Sequence, residues 1–291
     1  MATAPLIVIV GPTASGKTAL AITLAEQFDG EIICADSRTV YKGMDIGTAK
    51  PSATDQQRVP HWGLDLVEPG ERFTAAEFQS YATDKIAEIR SRGHVPFLVG
   101  GTGLYIDSVV YEYQFGEVAD QKLRQELELL TLAQLYEYCK NNNVMLPEND
   151  KNKRYVVRAI EQKLINNRRR ASPIPNTHIV GITTEKEALR AQIERRIEQL
   201  LTNGVVEEAK KLGNKYGWDS EAMTGNIYPL VHKYLEGSIN DNEFMSNAVT
   251  LDWRLAKRQL TWLRRNHFVR WFSLDDASVY LAKELAAWQE S

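Results

Sequence analysis

The chain of 291 residues is 43% hydrophobic and 25% charged, and it contains 18 glycines and 10 prolines. This balance is typical of a globular protein with one sizeable core, and it excludes a fibrous or disordered chain. The net charge of −3, taken alone, argues against a nucleic-acid partner. The start of the chain lacks a basic segment, and its apolar run Leu6–Val10 is far too short to cross a membrane, so we expect a cytoplasmic protein without membrane contact.

The first third of the chain alternates short apolar runs with amphipathic stretches. Strands are predicted over Leu6–Val10, Glu31–Ala35 and Pro96–Val99. Helices are predicted from Lys17 onward and over about Ala75–Arg92. This alternation predicts an α/β fold, in which crossover helices join the strands of a parallel sheet.

From about Tyr113 the pattern becomes helical and polar. Helices are predicted over Lys122–Leu130, Ala133–Lys140 and Asn152–Asn166, before the strand-like run His178–Ile182 rejoins the sheet. The chain is therefore expected to divide into a first part of the core over residues 1–113, a helical insertion over 114–172, and a second part of the core over 173–291 that ends in helices.

Positive charge is concentrated in two segments. Residues 151–170 contain eight Lys and Arg against one acid, and residues 251–270 contain six against one. Together these segments carry a net charge of +12, so the remainder of the chain carries −15. Such segregation is typical of a polyanion-binding groove on an acidic protein, although basic helix faces in water give the same pattern.

The second basic segment also has helical periodicity. At about 100° per residue, its cations gather on one side of a helix over Leu251–Arg265 and its apolar residues on the other. The cations of this face are Arg254, Lys257, Arg258, Arg264 and Arg265. We therefore expect one face of this helix to pack and the other to present positive charge.

The strongest local signal is GPTASGKT at residues 11–18, which fits the phosphate-binding pattern GxxxxGK(S/T) between an apolar strand and a helix. In this P-loop, backbone amides at the helix N-terminus surround a diphosphate. Lys17 is expected to reach the terminal phosphate, and the Thr18 hydroxyl to bind Mg²⁺. The predicted diphosphate-binding residues are Gly11, Thr13, Ala14, Ser15, Gly16, Lys17 and Thr18. The pattern does not say which diphosphate binds.

Two further features follow predicted strands. Asp36 comes directly after Glu31–Ala35, where ligands of doubly wound sheets bind. Its carboxylate could ligate Mg²⁺ through water, act as a general base, or only cap a helix. The run Gly100-Gly101-Thr102-Gly103 follows Pro96–Val99 and provides a backbone that a substrate can approach closely.

The chain resembles the tRNA dimethylallyltransferases over nearly its whole length. Six blocks in the same order carry this resemblance: GPTASGKT (11–18), DSRTVYKGMDIGTAKP (36–51), PHWGLD (60–65), VPFLVGGTGLYI (95–106), RYVVRAIE (154–161) and LAKRQLTWLRRN (255–266). P-loop kinases share only the first block, so the resemblance is specific.

The resemblance implies a P-loop core and a smaller helical insertion that form a channel together. Dimethylallyl diphosphate would enter at one end, and the flipped-out adenine on the 3′ side of a tRNA anticodon at the other, so that the prenyl group passes to the exocyclic amine. It also implies that Asp36 is the general base and that Thr102 and Arg124 lie close to the reaction.

The same resemblance assigns contacts with the tRNA anticodon stem-loop. The implied tRNA-binding residues are Asp36, Ser37, Arg38, Thr39, Arg154, Arg158, Lys257, Arg258 and Gln259. The chain departs from the family at Thr39, where glutamine is common, and over Asn226–Pro229, where many members have Gly-Tyr followed by Lys or Arg. The second departure removes a cation that helps to bind diphosphate, and His232 and Lys233 are the candidates to replace it.

Other functions remain open at this point. An adenylate isopentenyltransferase shares the P-loop and the donor but accepts a free adenine nucleotide, which does not require clustered positive charge. A P-loop small-molecule kinase would use Lys17 and Thr18 equally well. An RNA-binding protein without activity is a third alternative. The blocks RYVVRAIE and LAKRQLTW favour the tRNA enzyme, which we expect to be a monomer.

Overall fold

The chain folds as two units, one comprising Met1–Val110 with Pro173–Ser291 and the other Tyr111–Ser172. The computed structural model describes residues 3–115, 121–147, 149–162, 169–225 and 227–290. Over these ranges, no helix is long and apolar enough to span a membrane.

The strands are β1 (Leu6–Val10), β2 (Gly30–Ala35), β3 (His61–Trp62), β4 (Val95–Gly100), β5 (Thr177–Ile182) and β6 (Arg270–Phe272). The helices are α1 (Lys17–Gln27), α2 (Ala53–Arg58), α3 (Ala75–Ser91), α4 (Gly103–Val110), α5 (Gln121–Leu129), α6 (Leu132–Asn141), α7 (Lys153–Gln162), α8 (Lys186–Thr202), α9 (Val205–Tyr216), α10 (Tyr228–Leu235), α11 (Asp241–Leu263) and α12 (Leu274–Gln289). A short 3₁₀ helix covers Glu221–Thr224.

The larger unit is built on one parallel sheet with the strand order β3-β2-β4-β1-β5-β6. Strands β1, β2 and β4 are buried along their whole length, as expected where helices cover both faces of a parallel sheet. Gly30 permits this packing, because a Cβ atom at that position would lie 2.3 Å from the Phe97 ring. The predicted α/β class is confirmed, and β3 and β6 are strands that the sequence pattern did not indicate.

The smaller unit is helical and has its own apolar core. Helices α5, α6 and α7 pack around Leu127, Leu135, Cys139, Val156 and Ile160. The predicted helix over Asn152–Asn166 begins at Lys153 and is described as far as Gln162, while its last four residues lie outside the described residues.

Helix α11 is longer than the predicted segment Leu251–Arg265. It begins at Asp241 behind a capping box, in which the Asn240 side chain accepts from the Glu243 amide, and it ends at Leu263. The predicted cations Arg254, Lys257 and Arg258 are exposed on the helix, and Arg264 and Arg265 are exposed just beyond its last residue.

A buried carboxylate on β2 connects this strand to β3 and to the segment before β4, at the N-terminal end of the sheet. Glu31 on β2 accepts hydrogen bonds from Trp62 Nε1 at 2.7 Å and from Arg92 Nη2 at 2.8 Å, and His94 Nδ1 lies 2.7 Å from its Oε1. Burial by itself raises the pKa of Glu31, but the hydrogen bonds from Arg92, Trp62 and His94 outweigh burial, so the pKa of this carboxyl lies below its ordinary value.

We predict that Glu31→Gln lowers the free energy of unfolding by about 2 kcal/mol at neutral pH, because Trp62, Arg92 and His94 lose a buried, charged acceptor. Since the folded pKa is depressed, this stabilisation is present above the ordinary Glu pKa of about 4.3 and is lost as the pH falls through the folded value. Urea unfolding across this pH range measures the effect. Glu88→Gln, which removes the half-exposed partner of Lys85, is the control and should cost less than about 1 kcal/mol. Equal losses from the two variants would contradict the prediction.

Candidate active site

The P-loop joins β1 to α1 and presents its amides to one cavity. Gly16 has φ 83°, in the left-handed region, and Ala14 reaches φ 62°. These two residues turn the chain into α1, which begins at Lys17. The first amides of a helix have no partner within the helix, and they lie at its positive end. The loop therefore has the geometry of an anion-binding site.

A cavity of about 430 Å³ lies over the P-loop, within the larger unit. Its walls include Thr13–Thr18 of the P-loop, Asp36–Thr39, Gly47–Ala49, Thr102, Arg196, Tyr228, Asp252, Leu255, Arg258 and Gln259. Most of the site residues that were predicted in the larger unit therefore line this one cavity. Gly11 packs closely against Ser15, because a Cβ atom at Gly11 would lie 2.8 Å from Ser15 Oγ. Lys257 is exposed to solvent and does not line the cavity.

Lys17 is the cation at the floor of the cavity. Its Nζ donates to the Pro12 carbonyl at 3.1 Å. Burial lowers the pKa of Lys17 to about 8; Asp36 raises it in part, and Arg196 lowers it further. An anion bound over Lys17 would stabilise its charged form.

Two hydroxyls line the cavity beside Lys17. The Ser15 Oγ atom is buried, and no described residue provides it with a hydrogen-bond partner. Thr18 is half-buried in the first turn of α1. An unpaired buried hydroxyl costs free energy unless a ligand satisfies it, so this arrangement favours a polar ligand at the P-loop.

The Asp36 carboxylate is held by the loop that follows β2. Its Oδ1 accepts from the Arg38 amide at 2.8 Å. The Thr102 hydroxyl accepts from the neighbouring Ser37 amide at 3.0 Å, and the Thr102 amide donates to the Ala35 carbonyl at 3.2 Å. Thr102 therefore ties the loop after β4 to the loop that carries Asp36.

Arg38 and Thr39 are engaged within the protein. The Arg38 guanidinium donates to the carbonyls of Glu221 at 3.0 Å and Ala222 at 3.4 Å. Thr39 is buried, and its hydroxyl donates to the Asp36 carbonyl at 3.3 Å. Both side chains shape the wall of the cavity, and their predicted contact with tRNA remains a prediction.

A second cation of the cavity, Arg196 on α8, was not predicted from the sequence; it is hydrogen-bonded to the buried Asp252 on α11. Asp252 interrupts an otherwise apolar row at four-residue spacing, between Ala248 and Ala256. A carboxylate in such a row was the available signal, because a buried acid requires a partner.

His232 and Lys233 were the two candidates to replace the cation that relatives have near residues 226–229. His232 stacks on Trp218, with the ring centroids 4.3 Å apart. Neither it nor Lys233 lines the cavity.

A second residue that the sequence did not indicate, Glu208 on α9, holds the segment Asp45–Gly47, whose last residue lines the cavity. Its carboxylate accepts from the three amides of Asp45, Ile46 and Gly47 at 2.7–2.8 Å, and from the Tyr228 hydroxyl at 2.8 Å. Gly47 lets Tyr228 approach, because a Cβ atom there would lie 2.6 Å from the phenol ring. Asn226 is the first residue of the segment 226–229 in which the chain departs from the family pattern, and it lies outside the described residues.

Three predicted site residues belong to the smaller unit. Arg124 on α5 is half-buried, and its Nε lies 3.0 Å from Glu128 Oε1 and 3.8 Å from Glu161 Oε1. Arg154 and Arg158 are exposed on α7, whose opposite side is buried in the core of this unit. The roles predicted for these three arginines stay predictions.

Comparisons with known proteins identify the family. Residues 39–266 match a family model described as IPP transferase, and residues 4–65 match one described as isopentenyl transferase. A tRNA dimethylallyltransferase of Anoxybacillus flavithermus is 38% identical over 287 residues, covering 94% of this chain and 92% of that protein. One from Roseiflexus sp. is 41% identical, and the alignment covers 90% of each chain.

A solved structure agrees with these sequence matches. The full-length tRNA isopentenylpyrophosphate transferase of Bacillus halodurans is 36% identical, with a TM-score of 0.75 over 97% of this chain and 96% of that one. The six-block resemblance is thereby confirmed. The chain belongs to the IPP transferase family.

Proposed function

We propose that this enzyme transfers a dimethylallyl group from dimethylallyl diphosphate to the exocyclic amine of an adenine in the anticodon loop of tRNA. The observation that carries the proposal is that one cavity contains both an anion-binding P-loop and a fixed carboxylate, Asp36. The names of the relatives, tRNA dimethylallyltransferases that match over nine-tenths of the chain, support this reading. The kinase and free-nucleotide alternatives gain no support from them.

The donor diphosphate is held by the P-loop amides, Lys17 and Arg196. As the allylic C–O bond breaks, the diphosphate leaves with additional negative charge, which these fixed cations and dipoles stabilise. The half-buried Leu255 and the buried Tyr228 give the same cavity apolar surface for the prenyl chain.

Mg²⁺ fits the donors at this site. The Thr18 hydroxyl, and the Ser15 Oγ to which no described residue bonds, would supply hard oxygen ligands from within the P-loop. Mg²⁺ usually takes few protein ligands and several phosphate oxygens, which two hydroxyls beside a bound diphosphate would allow. When bound, Mg²⁺ neutralises charge on the departing diphosphate.

Asp36 acts as the general base on the acceptor. Adenine's amine is a weak nucleophile because its lone pair is delocalised into the ring. As the amine nitrogen bonds to the allylic carbon, its proton passes to the Asp36 carboxylate and the diphosphate departs. Thr102 keeps Asp36 in place through the Ser37 amide.

Exposed cations supply the affinity for tRNA. Lys257 on α11 lies over the Trp253 ring at 5.4 Å, and Arg258 stands at the mouth of the cavity. In the smaller unit, α7 presents Arg154 and Arg158 to solvent, where we expect them to contact the anticodon stem. Contacts with phosphates offset the cost of a few kcal/mol for taking the adenine out of its stack.

The decisive experiment incubates the protein with Mg²⁺, dimethylallyl diphosphate and an anticodon stem-loop, followed by mass spectrometry of the nucleosides. Isopentenyladenosine in the RNA is the expected product. Parallel reactions with adenosine monophosphate as acceptor, and with ATP as donor, test the two rival activities. Product only in the free nucleotide, or phosphoryl transfer from ATP, would overturn the proposal.

We predict that Asp36→Asn lowers kcat by about 100-fold or more, because the base is lost. Binding of tRNA should change by less than about threefold, since phosphate contacts elsewhere supply most of the affinity. Single-turnover rates and filter binding measure the two quantities. Asp84→Asn, an exposed change on α3, is the control and should leave both unchanged. Turnover of Asp36→Asn at the control's rate would remove the base from our mechanism.

We predict that diphosphate binding weakens as the pH rises above about 8, the pKa of Lys17 in the free protein. The bound anion raises this pKa, so binding takes up protons near that pH, and the affinity is highest below it. Calorimetry of inorganic diphosphate binding in buffers of different ionisation enthalpy measures the uptake. Lys17→Met is the control for protonation of the diphosphate itself. This variant should bind diphosphate more weakly and take up fewer protons. Equal uptake by the two proteins would exclude Lys17 as the titrating group.

We predict that replacing Arg254 and Lys257 together with glutamine weakens tRNA binding and flattens its salt dependence. Each lost phosphate contact should reduce the log–log slope by roughly 0.7–0.9. A salt titration by filter binding checks this. The matched control replaces two exposed lysines on other helices, Lys210 and Lys283, with glutamine and changes the net charge equally. If both double variants have the wild-type slope, the α11 face is only solvated surface.

A further inference from the structure

Gln259 lies at the inner side of α11, against the P-loop. Its Oε1 accepts a hydrogen bond from the Thr13 amide at 2.8 Å. The side chain is half-buried and lines the cavity. The contact joins two residues that are 246 positions apart in the chain, so it is made entirely by the tertiary fold.

The loop after β4 is shaped to admit this side chain. A Cβ atom at Gly101 would lie 2.2 Å from Gln259 Nε2 and 3.2 Å from the Gly11 carbonyl. One turn further along α11, Trp262 presses against Gly103 in the same way, with a Cβ there only 2.0 Å from Trp262 Cδ1. Trp262 Nε1 also donates to Asp107 Oδ2 at 2.7 Å. Gly101 of this loop and Gly103 at the start of α4 are therefore required by α11, and Gln259 is confined between two backbone segments.

The run Lys257-Arg258-Gln259 cannot act as one RNA-binding surface. Successive helical residues are rotated by about 100°, so Lys257 and Gln259 point to nearly opposite sides of α11. Lys257 is exposed, Arg258 stands at the cavity mouth, and Gln259 faces the P-loop. A residue turned inward in this way has another role than phosphate contact.

We propose that Gln259 is a positioning residue of the donor site, which holds the P-loop in its diphosphate-binding conformation through the Thr13 amide. The P-loop has little other means of fixing Thr13, because this residue precedes α1 and lies outside its hydrogen-bond ladder. With the amide of Thr13 anchored, Ala14 and Gly16 keep the left-handed turn that presents the following amides to the cavity. This role rests on the proposed function, because it assumes that the P-loop binds the donor's diphosphate.

The test compares Gln259→Leu, which removes the acceptor, with Lys257→Gln, which removes an exposed cation. Inorganic diphosphate binding by calorimetry without RNA, and anticodon stem-loop binding without donor, are measured on the full chain. Gln259→Leu should weaken diphosphate binding by roughly three- to tenfold and raise the donor KM similarly, while tRNA binding stays within about twofold. Lys257→Gln should show the reverse pattern. Loss of tRNA binding by Gln259→Leu with wild-type diphosphate affinity would make Gln259 an RNA contact and overturn the proposal.

Further variants separate positioning from a general loss of structure. Gln259→Asn keeps the amide but is one methylene too short to reach Thr13, and it should behave like Gln259→Leu; wild-type diphosphate affinity in it would overturn the proposal even if the leucine variant failed to fold. Gln259→Glu retains an acceptor, so hydrogen exchange of the P-loop amides should be as slow as in the wild type, and faster in the asparagine variant. Equal exchange in all variants would contradict the proposed contact. A wild-type protein that binds no diphosphate would instead refute the proposed function.

Discussion

The active site depends on the parallel alignment of β1, β2 and β4. Val10 and Ala35 both pair with Gly100, so these three strands end at the same level of the sheet. The P-loop, the Asp36 loop and the loop at Gly101 therefore start side by side. The alignment requires a glycine at its centre, because a Cβ atom at Gly100 would lie 2.1 Å from the Ala35 carbonyl oxygen. A shift of register in any one strand would separate the carboxylate from the anion-binding amides.

Two cations of the cavity, Arg196 and Lys17, lie near carboxylates of the same cavity. Arg196 is hydrogen-bonded to Asp252. Burial lowers the pKa of Lys17, and Asp36 raises it in part. A buried pair such as Arg196 and Asp252 contributes little net stability, because desolvation offsets the attraction. Its value lies in fixing the guanidinium beside the P-loop, where a flexible side chain would lose entropy on binding an anion.

The sequence predicted those parts of the site that depend on local pattern. The P-loop and Asp36 each follow a buried strand, and the carboxyl ends of parallel strands meet at one edge, so their proximity was foreseeable. Arg196 and Glu208 were not foreseeable in this way, since their roles arise from partners far along the chain. Strands β3 and β6, with two and three residues, are too short for a periodic signal, and their pairing is supplied by the existing sheet.

Helix α11 shows why resemblance and structure give different information about one motif. Motif matching assigns a role to a run of neighbours, but a helix distributes neighbours around its axis. Its outer side carries the cations Arg254 and Lys257, and its inner side carries Asp252 and Gln259, which contact Arg196 and the P-loop. Changes on the outer side act through long-range charge and are sensitive to salt, whereas changes on the inner side act through short hydrogen bonds that salt does not screen. We therefore expect the same short stretch of sequence to serve both RNA affinity and donor-site geometry, with the direction of each side chain deciding which.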